Sequence, residues 1–388
     1  MSNDPASPYR YAIGGMIGMA AGMGIGRFIY TPLLPAMMEE LGQSASDAGL
    51  IASANFLGYL VGALLASGGW AHGRERALML AAVGATAVLL ALMAATESLA
   101  AFITIRFLAG VASAFMMVFL STIVFGHLAP ANRSDLQALH FGGVGVGIAV
   151  SSIASGAMVI WHAPWQAGWI SSAVLGAIGF VAVLLLVREG PVAAADAPRE
   201  PALPKSPALR RMILSYGLFG FGYVVTATFL VAIVRAGEGG RLFESVVWLV
   251  TGVSIIASTW VWNRVAARKG LARAYAAGMV VEAVGVIASV AIGGHAGPLI
   301  AAVLLGGTFV AVTAIGLQIG RRLADASPRK ALAMMTAAFG VGQIVGPVVA
   351  GALADLTGAY VVPSLLASAV LLASALLAWD AGRRSGIR

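Results

Sequence analysis

Cysteine is absent from all 388 residues, which excludes disulfides, thiolate nucleophiles and cysteine-held metals. Charge is scarce as well. Asp, Glu, Lys and Arg together make up 10% of the chain, against about 25% in a soluble domain. No cluster of metal-ligating residues occurs, and neither a P-loop lysine motif nor a Gly-x-Ser-x-Gly elbow is present. The strings Gly22-x-Gly24-x-Gly26 and Gly143-x-Gly145-x-Gly147 lack the βαβ frame of a nucleotide loop and read as close helix packing. No enzyme chemistry, metal or cofactor is expected.

What is abundant is apolar: 60% of the residues are hydrophobic, in runs long enough to cross a hydrocarbon core of about 30 Å. The formal charge of +8 does not point to nucleic acid, because the basic residues sit in short pieces between apolar runs and do not interleave with aromatics. The N-terminal MSNDPASPYRY lacks the basic start and small-residue cleavage site of a signal peptide, so the first helix is expected to be retained.

Windows of about 19 residues place spans near 11–38, 46–68, 77–95, 99–126, 137–160 and 165–187. A second set falls near 211–235, 244–263, 273–293, 298–320, 331–356 and 360–380. Between them lies a proline- and alanine-rich stretch with mixed charge, GPVAAADAPREPALPKSP, which reads as a linker. The expected organisation is an all-α membrane protein: one bundle over 1–188, a linker over 189–210, and a second bundle over 211–388. Apart from Arg27 and Arg106 inside spans, every Lys and Arg falls on one face except Arg235 and Arg241. The positive-inside rule then puts the linker and both termini in the cytoplasm and the protein in the inner membrane.

The halves echo each other at an offset of about 195 residues, as in transporters built by duplication. Phe141–Gly156 in the fifth span is answered by Phe339–Asp355 in the eleventh, and the loop Gly69–Arg76 by Asn263–Lys269. Within the first run, Gly14, Gly18, Gly22 and Gly26 form a packing stripe. Met16, Met23, Arg27 and Tyr30 lie about 100° round from it, where a cavity could sit.

Over nearly its whole length the chain resembles the major facilitator superfamily. The stretches Gly26–Met37 (GRFIYTPLLPAM) and Ser53–Leu65 (SANFLGYLVGALL) look like its YbfB/YjiJ branch. The loop motif between spans two and three has His72 where the superfamily has aspartate but keeps Arg74 and Arg76, which the resemblance makes a gating loop. Arg106–Gly110 resembles the arginine-glycine motif of proton-coupled members. The Gly-Pro of the antiporter motif is missing from the fifth span, where Ile148 follows Gly147; it appears only in the eleventh, as Gly346-Pro347. The resemblance implies two pseudo-symmetric six-helix bundles with spans one, four, seven and ten lining a central cavity.

Arg27 and Arg106 both lie roughly 13 Å deep by helical rise, able to hold a carboxylate or sulfonate between them. The alternative is that Arg106 braces helix ends through backbone carbonyls. Tyr30, Asn55, Tyr59, Tyr223, Thr226 and Gln343 complete the substrate-site candidates, with interhelical hydrogen bonding as the competing role. Glu282, Asp355 and His140 are the proton-coupling candidates; structural pairing is the competing role of Glu282, whose span nine the resemblance implies to lie outside the cavity, and a plain interfacial position is the competing account of Asp355 and His140. The expected function is secondary active transport of a small organic anion with a proton as coupling ion; the partners are that solute, the proton and membrane lipid. Proton-coupled efflux of apolar or cationic compounds is the alternative, and a non-transporting scramblase or receptor is the alternative of another class.

Overall fold

In the computed structural model, residues 7–68, 70–188, 190, 200–237 and 239–385 are described. Twelve of their helices are long and apolar enough to cross a membrane. Those of the first half are Pro8–Leu41, Ala45–Ala66, Glu75–Met93, Leu99–Leu128, Ser134–Ile160 and Trp165–Leu186. Those of the second are Pro207–Ala236, Gly240–Lys269, Leu271–Ala291, Ala296–Leu323, Pro328–Thr357 and Val361–Ser385. Pro8, Pro207 and Ser385 lie at one end, called here the terminal face, and the opposite end is the far face. Positions 189 and 191–199 of the expected linker lie outside the described residues.

The halves repeat one packing scheme. Spans two and four, three and four, three and six, and one and five pack together, as do eight and ten, nine and ten, nine and twelve, and seven and eleven. Between the halves, span five packs on eight, two on eleven and one on seven. The outward faces carry bare hydrophobes such as Ile153, Ile178 and Leu376, a surface stable in hydrocarbon and not in water.

Many helices overrun the apolar windows. Asn263–Lys269, expected as a loop, forms the last turns of the eighth helix, and the reversal needs only Gly270, whose φ of 88° suits glycine. Apolar windows end where the bilayer ends, whereas a helix ends where its backbone is broken.

The first span departs most from expectation. Instead of one continuous helix it is α-helical over Pro8–Met19, π-helical over Ala20–Ile25, turned at 26–29, and α-helical again over Tyr30–Leu41. Pro32 has no N–H to return to the Phe28 carbonyl, and the glycine-rich segment before it holds the regular α-helical winding only weakly. Span five lies hard against this segment. A Cβ on Gly24 would stand 2.6 Å from the Gly147 Cα, a distance that only paired glycines allow.

Candidate functional site

A cavity of about 220 Å³ lies between the halves. Spans one, two, four, five, seven, eight, ten and eleven all contribute to its wall, more than the four that the resemblance implies. Arg27, Phe28, Tyr223, Phe309 and Gln343 form its inner end. From there it runs toward the terminal face past Met19, Phe141, Tyr216, Leu317 and Thr336.

The wall is aromatic. Tyr223 is sandwiched between Phe309 and Phe339, with ring centroids at 5.4 and 5.5 Å and planes within 8° and 9°. Phe28 meets Phe309 edge-on across the halves at 5.9 Å. Arg27 supplies the one charge among the lining residues. Its guanidinium sits 4.5 Å from the ring centroids of both Phe56 and Tyr59, and its Nη2 donates to Gln343 Oε1 at 3.3 Å. Gln343 Nε2 donates in turn to the Tyr223 hydroxyl. Arg27 is 5% exposed, pairs with no carboxylate, and its Nε lacks a hydrogen-bond partner among the described residues. Cation–π contacts contribute about 2 kcal/mol when desolvated, less than the several kcal/mol that burying one ion costs. The protein's own residues therefore leave an electrostatic deficit at Arg27 that an anion would relieve.

Arg106 is equally buried but does not line this cavity. Its Nη1 donates to Gly26 O at 3.0 Å and its Nη2 to Arg27 O at 2.8 Å, carbonyls that the broken first span leaves available. Its charge is thus spent on the backbone that presents Arg27. Asn55 Nδ2 holds Arg106 O at 2.9 Å. Tyr30 donates to Ala48 O at 3.1 Å, and Thr226 is buried away from the cavity. Of the eight substrate-site candidates, the structure gathers Arg27, Tyr59, Tyr223 and Gln343 around the cavity. The other four stand behind them.

The three proton candidates all lie off the cavity wall. His140 packs between Phe125 and Phe141 and shares a hydrogen bond with Ser121 at 3.0 Å. Glu282 is buried against span ten, beside Thr308. Asp355 accepts the backbone N–H groups of Ala45 and Ser46, each at 2.9 Å, so a carboxylate of the second half caps the second span of the first. Nearby, Arg235 pairs with Glu244 and, at 2.7 Å, with Glu39 across the halves, while Arg241 reaches Glu39 at 3.0 Å. Thr31 Oγ1 donates to Ala227 O at 2.7 Å. Among the described residues, the polar contacts joining the halves lie at mid-depth or on the far face, while the cavity lining extends from mid-depth toward the terminal face. In the expected gating loop, Arg76 Nε donates to Val187 O at 2.8 Å and His72 lies 3.9 Å from Glu75. Arg74 is exposed.

A family model described as the uncharacterised MFS-type transporter YbfB matches residues 19–379. The chain belongs to this family of transporters. A chloramphenicol resistance protein of Streptomyces lividans is 28% identical to it over 366 residues, 92% of each chain. A variant of the nucleoside transporter NupG superposes with a TM-score of 0.77 at 14% identity, covering 96% of this chain and 99% of the other. A bacterial homologue of the human lysosomal transporter Spinster, inward-facing and unoccupied, superposes at 0.70 with 12% identity and 98% coverage of both. At these identities the likeness to both structures is one of fold. The MFS-type chain is thus a multi-pass membrane protein of a transporter family that binds small-molecule substrates.

Phe28, Tyr216, Phe309 and Phe339 are cavity residues that sequence reasoning did not single out. Their signal is faint. Tyr216 and Tyr223 are seven residues apart, two turns on one helix face, and Phe309 and Phe339 fall near mid-span, yet aromatic rings at such positions serve equally as ordinary packing.

Proposed function

We propose that this MFS transporter moves a small, largely aromatic organic anion by alternating access. Its two six-helix units, 1–188 and 211–388, rock about the Arg27 site, and transport is coupled to protons. The observation that carries this reading is the Arg27 guanidinium, the sole charge among the residues lining an aromatic wall and without a carboxylate partner among the described residues. Lys and Arg concentrated on the terminal face put that face in the cytoplasm of a cell whose plasma (inner) membrane holds the protein. The cavity then faces inward. Membrane lipid covers the remaining surface.

A second reading, efflux of a neutral aromatic compound, is favoured by the apolar wall and by the relative named for chloramphenicol resistance. Calorimetric titration of the purified protein with benzenesulfonate, benzyl alcohol and benzylammonium separates the two. The anion reading expects benzenesulfonate to bind at least about tenfold tighter than the alcohol, a difference of 1.4 kcal/mol, with the cation weakest. Equal or tighter binding of the alcohol favours the efflux reading, and a preference for benzylammonium overturns both.

A further inference from the structure

Behind the cavity wall, at mid-depth in span nine, Glu282 is 1% exposed. No cation pairs with it, and its Oε1 has no partner among the described residues. Its Oε2 lies 3.0 Å from Thr308 Oγ1 on span ten. That hydroxyl also lies 2.6 Å from Leu304 O and 3.2 Å from Leu305 O. A threonine hydroxyl has one proton to donate. Three acceptors surround it, and the shortest contact is to the carbonyl one turn back, the usual partner of a helical threonine. With that proton on Leu304 O, Thr308 Oγ1 meets Glu282 as an acceptor, and the contact is completed when the carboxyl group carries the hydrogen.

The surroundings agree. Span nine packs against spans seven, eight, ten and twelve, and their charged residues sit at the helix ends: Arg210, Arg211 and Arg235 on seven, Arg241, Glu244, Arg264, Arg268 and Lys269 on eight, Arg321 and Arg322 on ten, and Asp380, Arg383 and Arg384 on twelve. Arg273 occupies the terminal-face end of span nine itself. The titratable groups facing Glu282 are the neutral phenols of Tyr223 on span seven and Tyr275 on its own helix. An isolated carboxylate there would bear the full desolvation cost of an unpaired buried ion.

Resting on the proton-coupled reading above, we infer that Glu282 is the proton-carrying site of the transport cycle, loaded in the conformation described. Its link to the solute is short. Thr308 immediately precedes Phe309, which stacks on Tyr223, which accepts from Gln343, which holds Arg27. On unloading, the O–H bond of Glu282 breaks, its electron pair stays on the carboxylate and the proton passes to water. Thr308 then turns its hydrogen from Leu304 O to the carboxylate. This releases the back-bond that bends a helix at such a threonine and so changes the course of span ten beside Phe309, on the solute's wall.

The first test needs no solute. Infrared spectroscopy of the full chain in lipid nanodiscs at neutral pH should show the carbonyl stretch of a protonated carboxylic acid, lost in Glu282→Gln. In Thr308→Val, which keeps the acid but removes its acceptor, the band should shift to higher frequency. A wild-type spectrum without the band, or one unchanged in Glu282→Gln, overturns the site. The second test uses proteoliposomes with a benzenesulfonate gradient, an ion that neither titrates near neutrality nor crosses lipid readily, and an internal pH dye. Protons moved per benzenesulfonate should fall to near zero in Glu282→Gln, and a ratio equal to wild type overturns the coupling role. If wild type does not move benzenesulfonate at all, the anion reading fails, and the infrared result still decides where the proton sits.

Discussion

The Arg27 guanidinium and the Gln343 carboxamide lie 3.3 Å apart although 316 residues separate them in the chain. Each comes from a different half, so this contact both closes the inner end of the cavity and orients its charge. Gln343→Glu would place a counter-ion beside Arg27 and satisfy internally what a solute would otherwise satisfy. Benzenesulfonate affinity should drop at least about tenfold in Gln343→Glu and in Arg27→Gln, with Arg27→Lys intermediate because lysine keeps the charge but loses the planar fork. Titration of the four proteins checks the order. Equal dissociation constants would remove Arg27 from the site.

Arg106 should behave differently. Its two bonds to Gly26 O and Arg27 O satisfy carbonyls in a broken helix, and leaving these unmet costs about 2–4 kcal/mol. Arg106→Gln should therefore lower the thermal unfolding midpoint markedly. Affinity should fall only as far as Arg27 is displaced. A variant as stable as wild type would contradict this bracing role.

On the far face, Asp355 caps the Ala45 end of span two from the opposite half. It is solvent-exposed, so the contact contributes only about 0.3–1 kcal/mol. Asp355→Asn should raise the labelling rate of a cysteine placed at the buried Ala45 about two- to fivefold. Arg235→Gln should raise it as well, because it removes the 2.7 Å pair with Glu39 across the halves. Unchanged labelling in both variants would mean that these groups do not hold the far face shut.

The orientation can be read directly. A cysteine at the exposed Gly237 should react with an impermeant thiol reagent on intact cells, and one at the exposed Ala326 should react only after the cells are opened. The reverse pattern would invert the assignment, and the absence of native cysteine leaves no background.

The linker's described end should respond to acid. Glu200 accepts the backbone N–H groups of Arg329 at 3.0 Å and Lys330 at 3.1 Å, at the start of span eleven. Partial burial pushes its carboxyl upward, but these amides and the two neighbouring cations outweigh that and hold it below the ordinary glutamate value of 4.5. A depressed carboxyl stabilises the docked form above its unfolded value and loses that contribution as pH falls through the lowered one. Protease cleavage in the linker should accelerate below about pH 4.5 in wild type. In Glu200→Gln it should be fast already at neutral pH.

The spans were legible because an apolar run long enough for the bilayer has few other uses. Helix ends were less so: residues 263–269 are polar enough to read as a loop while winding on to Gly270. The π-helical segment was hidden because the glycine stripe presumes the regular α-helical turn that it replaces. Arg27, Tyr59, Tyr223 and Gln343 stood out as polar groups at depth, whereas Phe309 and Phe339 did not. The depth of Arg106 could be counted from its own span. The target of its guanidinium could not, because it is decided by a break in a different helix.

The far-face seal gives the resting molecule a preferred side. Among the described residues the polar contacts between the halves lie at mid-depth and on the far face, so a solute arriving from the terminal face meets a formed site, while one from the far face must wait for a minor conformation. Transport from that side starts from only the fraction of molecules open to it. Initial rates from the two compartments would then half-saturate at different solute concentrations, although the equilibrium affinity of the one site is the same from either side.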